Sequence, residues 1–259
     1  MRISFVIPTR NQAAYLGACI DSCLQQGIED SEILVIDGAS TDETAAVVQR
    51  FGERVRFVSE PDDGQASAVN KGVRMARGEV IAWINSDDYY SDPGAINALL
   101  SVMEDGADIA YGDGLRVDAH GGALGRYAAH PVEKTADIVM WPASFVLQPA
   151  LLFRRELFLR VGGLDESLHY ALDYDLWLRM FPAASSTRQV HRTIACARYH
   201  ADAKSVAHMR RQILEAYQVK RRAIAALSMP LSQQLRTHLG VATMWAYWLA
   251  VRSGLRRLV

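Results

Sequence analysis

Glu79-Val-Ile-Ala-Trp-Ile-Asn85-Ser-Asp87-Asp88-Tyr89-Tyr90 joins a strand-length apolar run to two adjacent carboxylates. Residues 80–84 carry no polar side chain, the pattern of a parallel strand covered on both faces. Where that strand should end, the chain turns to Asn85, Ser86, Asp87 and Asp88. Ligands of open α/β sheets collect at the carboxyl ends of strands, so an acidic pair there is well placed for chemistry. Paired carboxylates suit a hard divalent cation, Mg²⁺ or Mn²⁺, which keeps one or two protein ligands and shares phosphate oxygens. The competing reading is a solvated Asp-rich loop that leads into the next helix.

Upstream, the pattern alternates. Residues 3–7 form an apolar run stopped by Pro8-Thr9, and 11–26 read as an amphipathic helix. A second buried run at 33–36 ends at Asp37-Gly38. Ser40 and Glu43 have the spacing of a capping box for a helix through Val47, Val48 and Phe51. A third strand at 55–58 and a helix at 65–77, closed by Gly78, lead back to the acidic stretch. Asp92-Pro93 has N-cap and first-turn chemistry for another helix. Strands separated by helices of this length mean βαβ units, hence an α/β fold with a mostly parallel sheet flanked by helices.

Downstream the alternation fades. The Gly-rich stretch through Gly125 predicts a hairpin, and 150–153 a short strand. Helices are expected at 154–161, stopped by Gly162-Gly163, and at 173–180. From about Ser205 the chain reads as helical to its end, broken by Pro230. We therefore divide it into a main domain, 1–204, and a helical extension, 205–259. The main domain splits into two halves, 1–114 and 115–204.

The 259 residues carry a formal net charge of -1, with 50% hydrophobic and 22% charged residues, ordinary values for a globular protein. The charge is unevenly spread: net -9 through His200 and +8 beyond it. A basic, Trp-containing helical tail suits phosphates or an anionic membrane surface; the plainer reading is a solvated face with Arg stems packed along it. The apolar run at 239–251 is too short to span a bilayer. Cys19 and Cys23 fall on the apolar side of their helix and Cys196 stands alone, so neither a disulfide framework nor a zinc spacing is present. With no leader pattern at Met1-Arg2, a cytoplasmic setting is expected, peripheral at the inner membrane face if the tail docks.

Four strand ends offer polar residues: Pro8-Thr9-Arg10-Asn11, Asp37-Gly38-Ala39-Ser40, Glu60 to Gln65, and Asn85 to Asp88. In a parallel sheet they share one rim. Asp37 there suits a base or ribose, and helix N-termini with Lys71 suit phosphate. Neither Gly-x-Gly-x-x-Gly nor a Gly-Lys-Ser/Thr loop follows any strand, so the dinucleotide fingerprint and the P-loop are unsupported.

Phe5-Val-Ile-Pro-Thr9, Val35-Ile-Asp-Gly-Ala-Ser-Thr-Asp42, Asn70-Lys71-Gly72, Ile84-Asn-Ser-Asp-Asp88, Gly162-Gly-Leu-Asp-Glu166 and Leu172-Asp-Tyr-Asp-Leu-Trp-Leu-Arg179, in this order and at these intervals, resemble family 2 glycosyltransferases of the GT-A fold. Trp83-Ile-Asn-Ser-Asp-Asp and Gln148-Pro-Ala resemble the bacterial branch that builds surface polysaccharides. The resemblance implies an inverting transfer of a sugar from a nucleotide diphosphate sugar to an acceptor hydroxyl, a glycan or a lipid-linked glycan. It implies Asp173 as the general base, and Pro8, Thr9, Asp37, Gln65, Lys71, Asn85, Ser86 and Asp87 around the donor. For a divalent cation, Mn or Mg, it implies Asp87 with Asp88 and His200. Nucleic acid is not an expected partner. Asn85 and Leu172 each stand where the family has an acid, which keeps a non-catalytic nucleotide-sugar or glycan-binding subunit as an alternative. A sugar nucleotidyltransferase is a third, weakened by the absence of a Gly-rich basic loop after the first strand.

Overall fold

The computed structural model describes residues 2–140, 144–200, 203 and 208–252. Strands β1 (Ile3–Thr9), β2 (Ser31–Asp37), β3 (Arg56–Ser59) and β4 (Val80–Trp83) alternate with helices α1 (Ala13–Leu24), α2 (Thr44–Gln49) and α3 (Gln65–Met75). They pair in the order β3-β2-β1-β4, all parallel. Every residue of β1 and β4 is buried, as continuous apolar strands require. Helix α3 lies close on β1 because Gly72 has no side chain: a Cβ there would stand 2.4 Å from Val6 Cγ1.

Beyond β4 the nine-stranded sheet becomes mixed. Strand β5 (Tyr89–Tyr90) and helix α4 (Ala95–Glu104) follow the acidic stretch. Strand β6 (Ile109–Asp118), which runs across the 114/115 boundary, forms the expected hairpin with β7 (Ala123–Tyr127). After α5 (Thr135–Met140), β8 (Leu151–Arg154) inserts antiparallel between β4 and β6. Helices α6 (Arg155–Arg160) and α7 (Leu172–Ala183) then lead to β9 (Thr187–Tyr199), parallel to β6 and antiparallel to β5. The parallel pairing that the sequence predicts thus holds for the first four strands. The remainder gains antiparallel partners: β5 follows β4 after a short turn and pairs with β9, and β8 returns after α5 to lie between β4 and β6.

Three local expectations change. Ser40 does not cap α2: its hydroxyl donates to Asp37, and α2 starts at Thr44, whose N–H donates to Asp42 at 3.1 Å. Helix α4 starts at Ala95, with the Asp92 carboxylate accepting from Gly94 N–H at 2.9 Å in the turn before it. Strand β9, 13 residues long, has no counterpart in the sequence reading. Most of its first half is polar and only Ile194, Ala195 and Cys196 are buried, so no apolar run announces it.

Pro230 separates two helices as expected, α8 (Met209–Ala226) and α9 (Leu231–Arg252). They are built into the body: α8 packs on α7 and α5, and α9 on α8 and α5. No helix among the described residues is long and apolar enough to cross a membrane. Cys19, Cys23 and Cys196 are buried free thiols.

Candidate functional site

Parallel pairing brings Thr9, Asp37 and Ser59 into register at one rim, with the end of β4 beside them. Immediately after Asp88 the chain becomes β5, whose Tyr89 pairs with Cys196 and Tyr90 with Ala195 of β9. That short antiparallel pairing carries Arg198 and His200 to the acidic pair, more than a hundred residues away in the chain. Arg198 N–H donates to Asp88 Oδ1 at 3.0 Å and its Nε to the Asp87 carbonyl at 2.9 Å. The guanidinium also lies 5.0 Å from the ring centroids of both Tyr15 and Tyr89, a cation held between two π faces. His200 Nε2 stands 3.0 Å from Asp87 Oδ2.

The two carboxylates differ. Asp88 is buried, and burial first, then the neighbouring charge of Asp87, raises its pKa well above the carboxylate range. Asp87 is half-buried and faces a cavity of about 1220 Å³. Asn85 is fully engaged: its Oδ1 accepts from Gln65 Nε2 at 2.7 Å and Trp83 Nε1 at 3.2 Å. An amide oxygen so occupied has no lone pair to spare for a cation.

The cavity gathers most of the residues expected from the sequence. Pro8, Thr9, Gln65, Asn85, Ser86, Asp87 and Asp88 line one side, and Asp173 lines another. Asp173 sits in the first turn of α7, half-buried, with Oδ1 accepting Tyr174 N–H at 2.7 Å. Desolvation raises its pKa to about 6, the Tyr174 N–H opposing and the Glu215 charge assisting. A carboxylate tuned toward neutrality is what a proton acceptor needs.

Three expected residues are not among those lining the cavity: Asp37, Lys71 and His200, the last buried against Asp87. Asp37 is buried, its carboxylate accepting from the Ser40 hydroxyl, Ser40 N–H and the Ser59 hydroxyl, and it is not among the cavity-lining residues. It braces the rim where β2 and β3 end. Lys71, also outside the lining, pairs with Glu60.

Sequence reasoning did not single out Arg198, Glu215 or Lys220, and quoted Gln148 only within the Gln-Pro-Ala motif. Gln148 Nε2 donates to the Trp83 carbonyl at 2.8 Å, tying the Gln-Pro-Ala segment to the tip of β4. Lys220 is buried in the cavity wall, donates to the Val139 carbonyl at 3.0 Å, lies 5.2 Å from the Tyr174 ring centroid, and has its pKa lowered by burial to about 8. Thr243, Met244 and Tyr247 of α9 also line the cavity, so the C-terminal helices complete its wall. A lysine within an otherwise apolar helix face was the available signal for Lys220; Arg198 had none apart from β9 itself.

For a divalent cation, the described residues hold no group of three or more His, Cys, Asp or Glu. Asp87, which lines the cavity, nevertheless offers an oxygen and His200, buried against it, a nitrogen; Asp88 is buried next in the chain. That donor set fits Mn²⁺ or Mg²⁺ sharing its remaining positions with phosphate oxygens.

The model of the family "Glycosyl transferase family 2" matches residues 4–162. An uncharacterized glycosyltransferase of Rickettsia prowazekii is 31% identical over 208 residues, 77% of this chain and 64% of that protein. The chain therefore spans less than two thirds of that relative's length. A PGL/p-HBAD biosynthesis glycosyltransferase of Mycobacterium bovis is 32% identical over 74% of this chain and 75% of its own length. Chondroitin synthase of Escherichia coli is 28% identical over 69% of this chain and 26% of its own. Among solved structures, S. aureus TarS 1-349 in complex with UDP superposes with TM-score 0.63 at 18% identity, over 91% of this chain and 68% of that one. Mannosyltransferase PcManGT of Pyrobaculum calidifontis, in complex with GDP-Man and Mn2+, gives TM-score 0.66 at 18% identity, over 97% and 75%. Both share the fold: a curled central sheet flanked by helices.

Proposed function

The chain belongs to glycosyl transferase family 2, and from that membership we propose that it is an inverting glycosyltransferase acting on a nucleotide diphosphate sugar in polysaccharide or glycolipid biosynthesis. The observation that carries the reading is the shared cavity: Asp87 at the tip of β4 and Asp173 at the start of α7 face the same space. In this reading Asp173 takes the proton of the acceptor hydroxyl as that oxygen attacks the anomeric carbon. The new carbon–oxygen bond forms on the face opposite the leaving group. The bond to the diphosphate breaks there, and its electron pair leaves with the nucleoside diphosphate. Such a displacement inverts the anomeric centre in one step.

Thr9 and Pro8 at the end of β1 would flank the nucleoside, with Asp37 bracing that rim from behind. Gly64, with φ +117°, and Gln65 open α3 at the cavity, and a helix N-terminus there suits a diphosphate. Gln65, Asn85 and Ser86 would line the donor pocket, while Lys71, paired with Glu60 outside the cavity, has no part in it. A divalent cation, when bound, supplies charge neutralisation at the departing diphosphate; Asp87 and His200 would hold it. Arg198 keeps Asp87 and Asp88 in place through the backbone. Removing an electrostatic stabiliser of this kind commonly costs on the order of 100-fold in turnover.

Helices α8 and α9 line the cavity that holds Asp173, and their exposed outer face favours a lipid-linked glycan as the acceptor class. Six of the seven exposed large hydrophobics among the described residues are leucines of this region: Leu214, Leu227, Leu231, Leu235, Leu239 and Leu249. Arg210, Arg211, Arg221, Arg222 and Arg236 are exposed on the same two helices. Leucines flanked by arginines match an anionic bilayer, whereas a second copy apposed on this face would set arginine against arginine. We place the protein at the cytoplasmic side of the inner membrane on that basis.

Asn85 in place of an acid favours a second reading, a subunit that binds the nucleotide sugar without turning it over. Incubation with a panel of UDP- and GDP-sugars and Mn²⁺ separates the two: an enzyme releases nucleoside diphosphate, and a binding subunit retains the donor intact.

A further inference from the structure

We propose that Glu215 of α8 is a positioning residue for Asp173, which it serves by holding the backbone that leads into α7; the inference rests on Asp173 being the base. Oε1 of Glu215 accepts His169 N–H at 3.0 Å. Oε2 accepts Tyr170 N–H and Ala171 N–H, the latter at 2.6 Å. Three successive backbone donors thus end on one carboxylate from a different helix. Helix α7 has no side-chain cap of its own at Ala171. The carboxylate meets the N–H of the N-cap residue, Ala171, and of the two residues before it, and a negative charge at that end is what the helix dipole favours.

The link to the base is short. Asp173 lies two residues after Ala171, and its Oδ1 is bound to Tyr174 N–H, so its carboxylate moves with that turn. Glu215 is the single acid in α8 and α9, and its carboxylate is committed to this segment. A second contact binds α8 to the same turn: the Lys220 ammonium lies over the Tyr174 ring. Helix α8, outside residues 4–162 that match the family, therefore sets where the base stands. A displacement of about 1 Å at a reacting group is enough to lower turnover on the order of 100-fold.

The test compares Glu215→Ala, Glu215→Gln and Asp173→Asn in the full chain. The probe is whichever UDP- or GDP-sugar the wild type turns over fastest with Mn²⁺, followed from pH 5 to 9. Glu215→Ala is expected to lower kcat by about 10- to 100-fold with the donor KM within about 2-fold, and to speed amide exchange at 169–174 by at least ten-fold. Glu215→Gln keeps one acceptor oxygen and should retain more activity. Its acid limb should move to lower pH, because the one carboxylate of α8 facing Asp173 is neutralised while Tyr127 of β7 and Lys220 of α8 remain.

Wild-type kcat and amide exchange in Glu215→Ala, alongside an inactive Asp173→Asn, would overturn the positioning role and leave the base assignment standing. An active Asp173→Asn would instead remove the base assignment itself. If Glu215→Ala melts below the assay temperature, Glu215→Gln decides, and wild-type kcat with an unmoved acid limb sinks the proposal.

Discussion

Nε2 of His200 stands 3.0 Å from Oδ2 of Asp87, across 113 residues of chain. The contact exists because β5 follows the acidic pair directly and pairs with β9, the strand that ends one residue before His200. If these two side chains hold the cation, His200→Ala should raise the Mn²⁺ concentration for half-maximal turnover about ten-fold. Asp87→Ala should abolish turnover at any Mn²⁺ concentration. A metal titration of nucleoside diphosphate release reads both, and an unshifted curve for His200→Ala removes the histidine from the site.

Asp173 leads to predictions in both rate and stability. Its pKa of about 6 means that turnover should fall as pH drops through about 6, where the base takes up its proton. Asp173→Asn should keep donor affinity within about 2-fold and lose transfer by 100-fold or more, on the order reported for general-base removal.

The stability effect has the opposite sign. The folded pKa lies above the ordinary carboxylate value, so the native state binds more protons than the unfolded chain between about pH 4 and 6. Stability contributed by this group falls as pH rises through that window, and the cost is fully present above it. Asp173→Asn should therefore be more stable than wild type at pH 7.5, on the order of 1–2 kcal/mol. The gain should vanish near pH 4, and denaturant melts at the two pH values check it.

Asn70 of α3 ties two distant parts of the chain. Its Nδ2 donates to the Leu164 carbonyl at 3.0 Å and its Oδ1 accepts Leu164 N–H at 2.9 Å, in a buried setting. Asn70→Ala strands both backbone groups and should cost about 2–3 kcal/mol. The urea midpoint should fall with an unchanged slope; a loss under about 0.5 kcal/mol would mean that water replaces the amide.

The leucine face of α9 is tested by Leu235→Glu with Leu239→Glu, both sites being exposed. Wild type should pellet with phosphatidylglycerol vesicles at low salt and be released by salt. The double variant should stay in the supernatant with its melting temperature unchanged. A wild type that dimerises and ignores vesicles points to a second copy as the occupant of this face.

The first four strands, the hairpin and the Pro230 break were legible because apolar runs, glycines and proline act locally. The carboxylates at 87 and 173 were legible for the same reason: each follows or opens a clear element. Strand β9 was not, since its burial comes from neighbours far away in the chain and its own first half is polar. Arg198 and Glu215 were hidden with it. Each owes its place to a tertiary contact that no spacing in the chain encodes, and the Glu215 partners are backbone amides with no side-chain signature. Asp37 was legible as a rim residue, but its hydroxyl partners, Ser40 and Ser59, turn it inward.

Strand β6 crosses the 114/115 boundary between the two halves, and the ladder runs unbroken from β3 to β5. A sheet bonded from edge to edge leaves no hinge between its two halves. On the proposed function, the departing phosphate at the tip of β4 is then placed by the scaffold when the chain folds, while the attacking oxygen answers to α7 and the helix that holds it. Selectivity in such a molecule works like a gauge block: a sugar or an acceptor too long or too short for the gap gets no accommodation from the frame, and any adaptation has to come from the helices that roof it.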